Sequence, residues 1–166
     1  MSDNTEVIGL LKKYKITAPA VDIYHIIKEN GIHLVFEKMD DSDSGFLLIE
    51  QGRPTIAINA LHHPNRQRFT AAHECGHYFL HRDGGENQLF VDQSFQRDAR
   101  ASTGTNEQEI QANNFAAQLL MPESFLLNAV MQRPLSDLDI ALLALKFEVS
   151  EQAMTLRLVK LGIVEL

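Results

Sequence analysis

At 166 residues, 45% of them hydrophobic and one a cysteine, the chain is sized for one domain with a real core and cannot form an internal disulfide. Its formal charge of −7, with lysines and arginines scattered, argues against unaided grip on a nucleic-acid backbone, which depends on clustered cations. No apolar run nears the ~20 residues of a membrane span, and the opening Met1-Ser2-Asp3-Asn4-Thr5-Glu6 is polar and unlike a signal peptide, so a cytoplasmic location is expected.

Residues 5 to 14 read as a short helix with Val7, Leu10, Leu11 and Tyr14 on one side. The Ala18-Pro19 step breaks it, residues 20 to 30 resume with Val21, Ile23, Ile26 and Ile27, and Asn30-Gly31 is a helix stop. His25 and His33 have no metal partner at ligand spacing and are expected on the surface. Three strand-like runs follow, at 32 to 38, 46 to 50 and 55 to 59. The last two form a hairpin across Gln51-Gly52, with Pro54 at a strand start where its missing N–H is tolerated. Asp40, Asp41 and Asp43 lie in an acidic turn that lacks the twelfth-position glutamate of a calcium loop and is read as a solvated turn. A peptide substrate gripped as an added strand would find its groove along residues 46 to 59, just before the next helix.

That next helix, residues 65 to 81, carries His73-Glu74-Cys75-Gly76-His77. Residues four apart on a helix point the same way, so the two imidazoles can hold one zinc ion from one side. Glu74 is rotated by ~100° from His73, beside the ion, where a carboxylate can take a proton from a polarised water. Asn65 is a plausible N-cap, and Phe69, Ala72, Gly76 and Leu80 form the apolar stripe. Glycine inside a helix costs up to ~1 kcal/mol against alanine, which suggests close packing at Gly76. Cys75 faces away from His73 and reads as a small core residue. The Arg66/Arg68 pair reads as a solvated helix face, and His62 and His63 as rim or surface-loop residues.

A catalytic zinc needs a third protein ligand and an open position. Asp83, six residues after His77, has the right spacing, but Leu80 stands where the turn would need glycine. Glu109 lies in a second helix, capped by Asn106 or Thr105 and ended at Pro122, on a face shared with Ala112, Asn113, Ala116 and Leu120. A carboxylate on so apolar a face must be paired or bound to a cation, which favours Glu109 over Asp83. Asn113, one turn on, could bond the second nitrogen of a histidine ligand. Helix pitch carries His81 ~6 Å along the axis from His77, suiting it to a capping or orienting role. It and Tyr78 are the candidates for stabilising an oxyanion. Between the two helices, residues 88 to 92 form a short apolar run, and residues 93 to 106 read as a polar loop running past the site.

Residues 137 to 147 and 151 to 161 form two helices around Val149-Ser150, with Ser150 capping the second and Gly162 ending it. The pair, residues 136 to 166, looks like a helix-turn-helix subdomain of a domain spanning 1 to 166. Its second helix is nearly neutral, which favours packing or docking of a partner over DNA contact.

The blocks Arg68-Phe69-Thr70-Ala71-Ala72-His73-Glu74-Cys75-Gly76-His77-Tyr78-Phe79-Leu80-His81 and Glu109-x-x-Ala112-Asn113-x-Phe115-Ala116-Ala117-x-Leu119-Leu120-Met121-Pro122, in that order, resemble the ImmA/IrrE family of metallopeptidases. The resemblance implies a zincin-like, gluzincin-type α+β fold, mostly helical, with a small three-stranded, mainly antiparallel sheet packed on the metal-binding helix. It implies a zinc endopeptidase with one zinc per chain on His73, His77 and Glu109, and Glu74 as the catalytic carboxylate. It also implies a helix-turn-helix transcriptional regulator as substrate, or alternatively a non-cleaving partner-binding role in a toxin–antitoxin-like pair. Cys75 departs from the leucine usual in that family and Gln111 from a frequent second glutamate, the latter supporting Glu109 as the ligand.

Overall fold

The computed structural model describes residues 3–91, 103–130 and 135–165, with side chains from residue 4 and, in the second stretch, from residue 107. The first two helices are α1 (Asp3–Lys13) and α2 (Ile23–Glu29). Asp22 caps α2 by accepting from the His25 N–H, and Asn30 with Gly31 at φ 70° closes it. Val7, Leu10, Ile23, Ile26 and Ile27 enter the core, whereas His25 and His33 are exposed.

Three strands follow: β1 (His33–Glu37), β2 (Gly45–Glu50) and β3 (Arg53–Asn59). Gln51 and Gly52 both take positive φ (50° and 73°), the two-residue turn whose twist suits a hairpin, so β2 and β3 pair antiparallel with Glu50 opposite Arg53. Strand β4 (Gln88–Val91) pairs antiparallel on the far side of β2, with Phe90 opposite Leu47. On the other side of β3 lies β1, parallel to it.

The sheet therefore has four strands in the order β1-β3-β2-β4 and is mixed, correcting the three-stranded, mainly antiparallel sheet expected above. The run at 88 to 91 is the missing strand. It is recruited because a half-buried β2 leaves an open edge that its backbone groups must fill. The same order corrects the groove expected along residues 46 to 59. Both β2 and β3 are interior strands, and the described edges are β1 and β4.

The sheet's inner face (Leu47, Ile49, Ile56 and Ile58) packs against α3 (Pro64–Gly76), and α3 packs against α4 (Thr103–Leu120). Gly45 permits the first contact, because a Cβ there would sit 2.5 Å from the Ala57 carbonyl oxygen and 2.7 Å from Thr70 Cγ2. Gly76 permits the second, since its Cβ would lie 2.9 Å from Ala112 Cα. The glycine that local propensity disfavours is thus where two helices meet.

Helix α4 starts by Thr103, so the expected caps at Thr105 and Asn106 lie inside it, and the last residues of the expected 93–106 loop are helical. The rest of that loop lies outside the described residues. A short helix α5 (Glu123–Ala129), not anticipated, follows Pro122. The final pair, α6 (Asp137–Phe147) and α7 (Glu151–Lys160), starts as expected, with a Ser136/Asp139 capping box on α6 and Ser150 on α7. Phe147, Val149, Met154 and Leu158 are buried in the same core as the sheet and α3. Buried Arg157 donates to the Met121 carbonyl, tying α7 to the end of α4.

Candidate metal centre

Helix α3 begins one residue before the expected cap. Pro64 occupies the first turn, where a missing N–H is harmless, and His63 Nδ1 accepts from the Asn65 N–H as the N-cap. Asn65 instead donates from its side chain to the Val149 carbonyl, 3.0 Å away. Nor is His62 a rim residue. It is buried, with Nε2 3.2 Å from the Asp41 carbonyl and 3.4 Å from Asn59 Nδ2, and helps close the solvated Asp40–Asp43 turn.

The expected solvated arginine pair is also corrected. Arg66 donates to Ser44 Oγ, while Arg68 is buried, donating to the carbonyls of Val21 (2.9 Å) and Glu148 (3.2 Å) and pairing with the Glu148 carboxylate (3.2 Å). A depression lined by Asp22, Tyr24, Arg68 and Glu148 surrounds that strut, and none of His73, Glu74, His77 and Glu109 lines it.

At the C-terminal end of α3 the chain does not continue as α-helix to residue 81. Residues His77–His81 form a π-turn, a wider coil that occurs often at functional sites. His73, Glu74 and His77 are all buried, at 2%, 0% and 1% exposure. Across the Gly76–Ala112 contact, α4 brings Glu109 to the two imidazoles. His73 Nε2 lies 3.1 Å from His77 Nε2, and the Glu109 carboxylate reaches 3.2 Å from each.

Among the described residues, His73, His77 and Glu109 form the one group of three ligand-type side chains that converges on a point and could hold a metal ion. The fit can be tested on these distances. A tetrahedral zinc with bonds of roughly 2.0–2.1 Å has donor–donor edges of about 3.3 Å. The three edges observed, 3.1, 3.2 and 3.2 Å, match that figure without rearrangement. Glu109 retains 36% side-chain exposure, so the group opens to solvent on the α4 side while the histidines stay covered.

Electrostatics agree with a cation at that point. Partial burial alone would raise the Glu109 carboxyl pKa, but hydrogen bonds from His73 and His77 overcome it and hold the group at about 2. Burial lowers the His77 pKa, and the neighbouring His73 and His81 lower it further against the pull of Glu109, favouring the neutral imidazole that binds metal. Cys75 is buried on the far side of α3, and its thiol pKa is pushed far up by that burial, as suits a core residue.

The second nitrogens of both imidazoles have partners. Nδ1 of His73 lies 3.1 Å from Asn113 Oδ1, the pairing anticipated for Asn113. Nδ1 of His77 lies 3.0 Å from Nδ1 of His81, and His81 Nε2 lies 3.0 Å from Gln111 Oε1. On the wheel of α4, Glu107 and Gln111 point away from the Glu109 face, so spacing alone does not assign Gln111 to the site; it reaches the site through His81. Sequence reasoning also missed Phe90 on β4, whose ring stacks on His77 with centroids 5.0 Å apart and planes 22° apart. The apolar run at 88 to 92 was visible, but nothing local told that it would pair with β2 beside the site.

Two other candidates, Asp83 and Tyr78, have hydrogen-bond partners outside the ligand group. Asp83 accepts from the Gly85 N–H at 2.7 Å and from the Gln88 side-chain amide, closing the turn into β4. Tyr78 gives its hydroxyl to Arg82 as acceptor at 2.8 Å, with the guanidinium over its ring.

Comparison with known proteins adds two findings. Residues 27–159 match the family model for Peptidase_M78, the IrrE N-terminal-like domain, an interval that contains every residue of the site. The chain is also similar to a Bacillus phage phi105 protein described as uncharacterized immunity region protein 2, at 27% identity over 114 residues. The similarity covers 69% of this chain and 65% of that protein, just under two thirds of its length. Among the described residues no helix is long and apolar enough to cross a membrane.

Proposed function

On the premise that the chain belongs to the Peptidase_M78 family, whose model matches residues 27–159, we propose that it is a zinc-dependent endopeptidase acting on a helix-turn-helix transcriptional regulator. The observation that carries the reading is the convergence of His73, His77 and Glu109 on one point with tetrahedral edge lengths, with Glu74 the next residue after His73. When bound, zinc supplies a Lewis acid that brings the pKa of a water towards ~7 and polarises the scissile carbonyl.

Each protein group then has a task. His73, His77 and Glu109 would hold the ion, with Glu109 on the solvent side of the group. Glu74, set ~100° around the helix from His73, takes the water's proton and passes it to the leaving amine. Its complete burial, at 0% exposure, keeps that proton transfer away from bulk water. Beside the site β4 has no strand neighbour on its outer side among the described residues, so a substrate backbone can pair along that edge, next to the Phe90 ring. The regulator as substrate is supported by the phage relative, described as an immunity region protein.

A non-cleaving, partner-binding role is the second reading, and one observation favours it. Leu138, Leu142 and Leu145 stand at 4/3 spacing on α6 with 68%, 56% and 75% exposure, an apolar stripe opposite the helix's buried Leu143, Ala144 and Phe147. Incubation with a helix-turn-helix regulator from the same genome separates the two. Wild-type protein should fragment the regulator, and Glu74→Gln should bind zinc equally yet cleave ~10²–10⁴-fold more slowly. Stable complex without fragments from wild type supports the binder, and undiminished cleavage by Glu74→Gln refutes the assignment of the base.

A further inference from the structure

The geometry points to His81 and Gln111 as positioning residues that hold the His77 ring through a hydrogen-bond chain of fixed direction, ending on Glu107. The inference rests on the reading that His77 binds the ion, and adds what keeps that imidazole in the right tautomer and orientation.

The chain can be worked from either end. His77 Nε2 faces His73 Nε2 (3.1 Å) and Glu109 (3.2 Å), so an ion held among the three would take the Nε2 lone pair and leave the His77 proton on Nδ1. That Nδ1–H needs an acceptor, and the atom 3.0 Å away is His81 Nδ1. His81 accepts there through Nδ1 and donates from Nε2, which lies 3.0 Å from Gln111 Oε1, an atom that can only accept. From the other end, Glu107 Oε1 lies 3.4 Å from Gln111 Nε2, and a carboxylate can only accept. The Gln111 amide is therefore turned with its NH₂ to Glu107 and its oxygen to His81. Both ends demand the same polarity.

Backbone geometry explains how His81 reaches its place. Across the π-turn the His77 and His81 ring centroids lie 5.1 Å apart with facing nitrogens in hydrogen-bond range, close to the 4.8 Å of His73 and His77 one turn earlier. Phe90 stacks on the His77 ring while His73 meets it edge-on, with centroids 4.8 Å apart, so rotation as well as tautomer is constrained. Helix α4 thus serves the site with two i, i+4 pairs. Glu109 and Asn113 act on the ion and on His73, and Glu107 and Gln111 act on His77 through His81.

The test compares zinc affinity by chelator competition in the full chain carrying wild-type, His81→Leu, His81→Asn and Gln111→Leu sequences. Cobalt(II) spectra at saturating metal and melting of the metal-free proteins accompany it. Losing such an outer partner weakens metal binding ~10–100-fold. His81→Leu should fall in that range, and Gln111→Leu should fall less. His81→Asn, whose side-chain oxygen replaces Nδ1 as acceptor, should return to within about threefold of wild type. Cobalt spectra should be alike in all four, because the donor set is unchanged. Wild-type affinity in both His81→Leu and Gln111→Leu overturns the inference. So does failure of His81→Asn to recover when the metal-free forms melt alike, which would assign His81 a packing role. An altered cobalt spectrum in His81→Leu overturns it by making His81 a direct ligand. A wild-type protein that binds no zinc sinks the underlying reading of the site, a result distinct from tight wild-type binding that ignores residue 81.

Discussion

Substituting Gly76 by alanine probes how the two halves of the site are held together. A Cβ built at Gly76 falls 2.9 Å from Ala112 Cα and 3.2 Å from both Ala112 Cβ and its carbonyl oxygen, where ordinary contact is 3.4–4 Å. The obstructing atoms are mainly backbone, so α3 and α4 must separate by roughly 0.5 Å, and close-packed interiors accommodate that poorly. Overpacking of this kind costs about 1–3 kcal/mol, offset by up to ~1 kcal/mol of better helix propensity, leaving the metal-free protein up to ~2 kcal/mol less stable. The larger effect falls on the metal. His73 and His77 ride on one helix or its π-turn and Glu109 on the other, so the same displacement opens two of the three donor edges. Bringing the donors back to native spacing restores clash that the metal-free protein relaxes away, and an added cost of about 1.4–2.8 kcal/mol in the bound state lowers zinc affinity ~10–100-fold. Denaturant melts of the metal-free protein and chelator competition read the two effects separately. Unchanged zinc affinity with a melting point raised by the propensity gain would refute the reasoning.

Two further perturbations follow from the structure. Metal-free protein should lose stability as pH falls, in two stages of the same sign. His77 has its folded pKa lowered below 6.5, so the unfolded chain binds that proton first, and its contribution is lost as pH drops through 6.5 towards the folded value. Glu109, held at about 2 against an ordinary 4.5, contributes above 4.5 and loses that contribution between 4.5 and 2. Melting curves should fall from about pH 6.5 to pH 4, with Glu109→Gln flattening the acid end; a rise between 6.5 and 4.5 would contradict the His77 sign, and a rise below 4.5 the Glu109 sign. Arg68→Leu removes the side-chain donor to the Glu148 carbonyl and one of two donors to the Val21 carbonyl, which keeps the Ile23 N–H, and should cost about 1–3 kcal/mol in urea unfolding, with little from the ion pair because Glu148 is itself exposed. A change under about 0.5 kcal/mol would make the strut dispensable.

What could be read from the sequence was what local geometry determines. Four-residue spacing on a helix set His73 beside His77, and the same rule put Asn113 one turn from Glu109 on an otherwise apolar face. The clash of Leu80 with the turn that Asp83 would need was equally local. Gly76 could be marked as a close contact because an unexplained propensity cost is itself a signal. The rest depends on distant partners. Nothing in residues 88 to 91 says that they will cover β2, so neither the fourth strand nor the Phe90 stack was legible. The π-turn after Gly76 has no composition of its own, and the meeting of His81 with Gln111 depends on how α4 packs across it. The buried role of Arg68 needed Val21 and Glu148, 47 and 80 residues away in sequence. Pro64 was the signal that could have moved the α3 cap from Asn65 to His63.

The central claim is that three side chains from two helical segments share one divalent ion. Calorimetric titration of the metal-free protein with zinc, in parallel with Glu109→Ala, tests it most directly. One zinc per chain is expected for wild type, with affinity at least ~100-fold weaker once the third ligand is gone. No saturable site in wild type, or equal affinity in Glu109→Ala, would contradict the account.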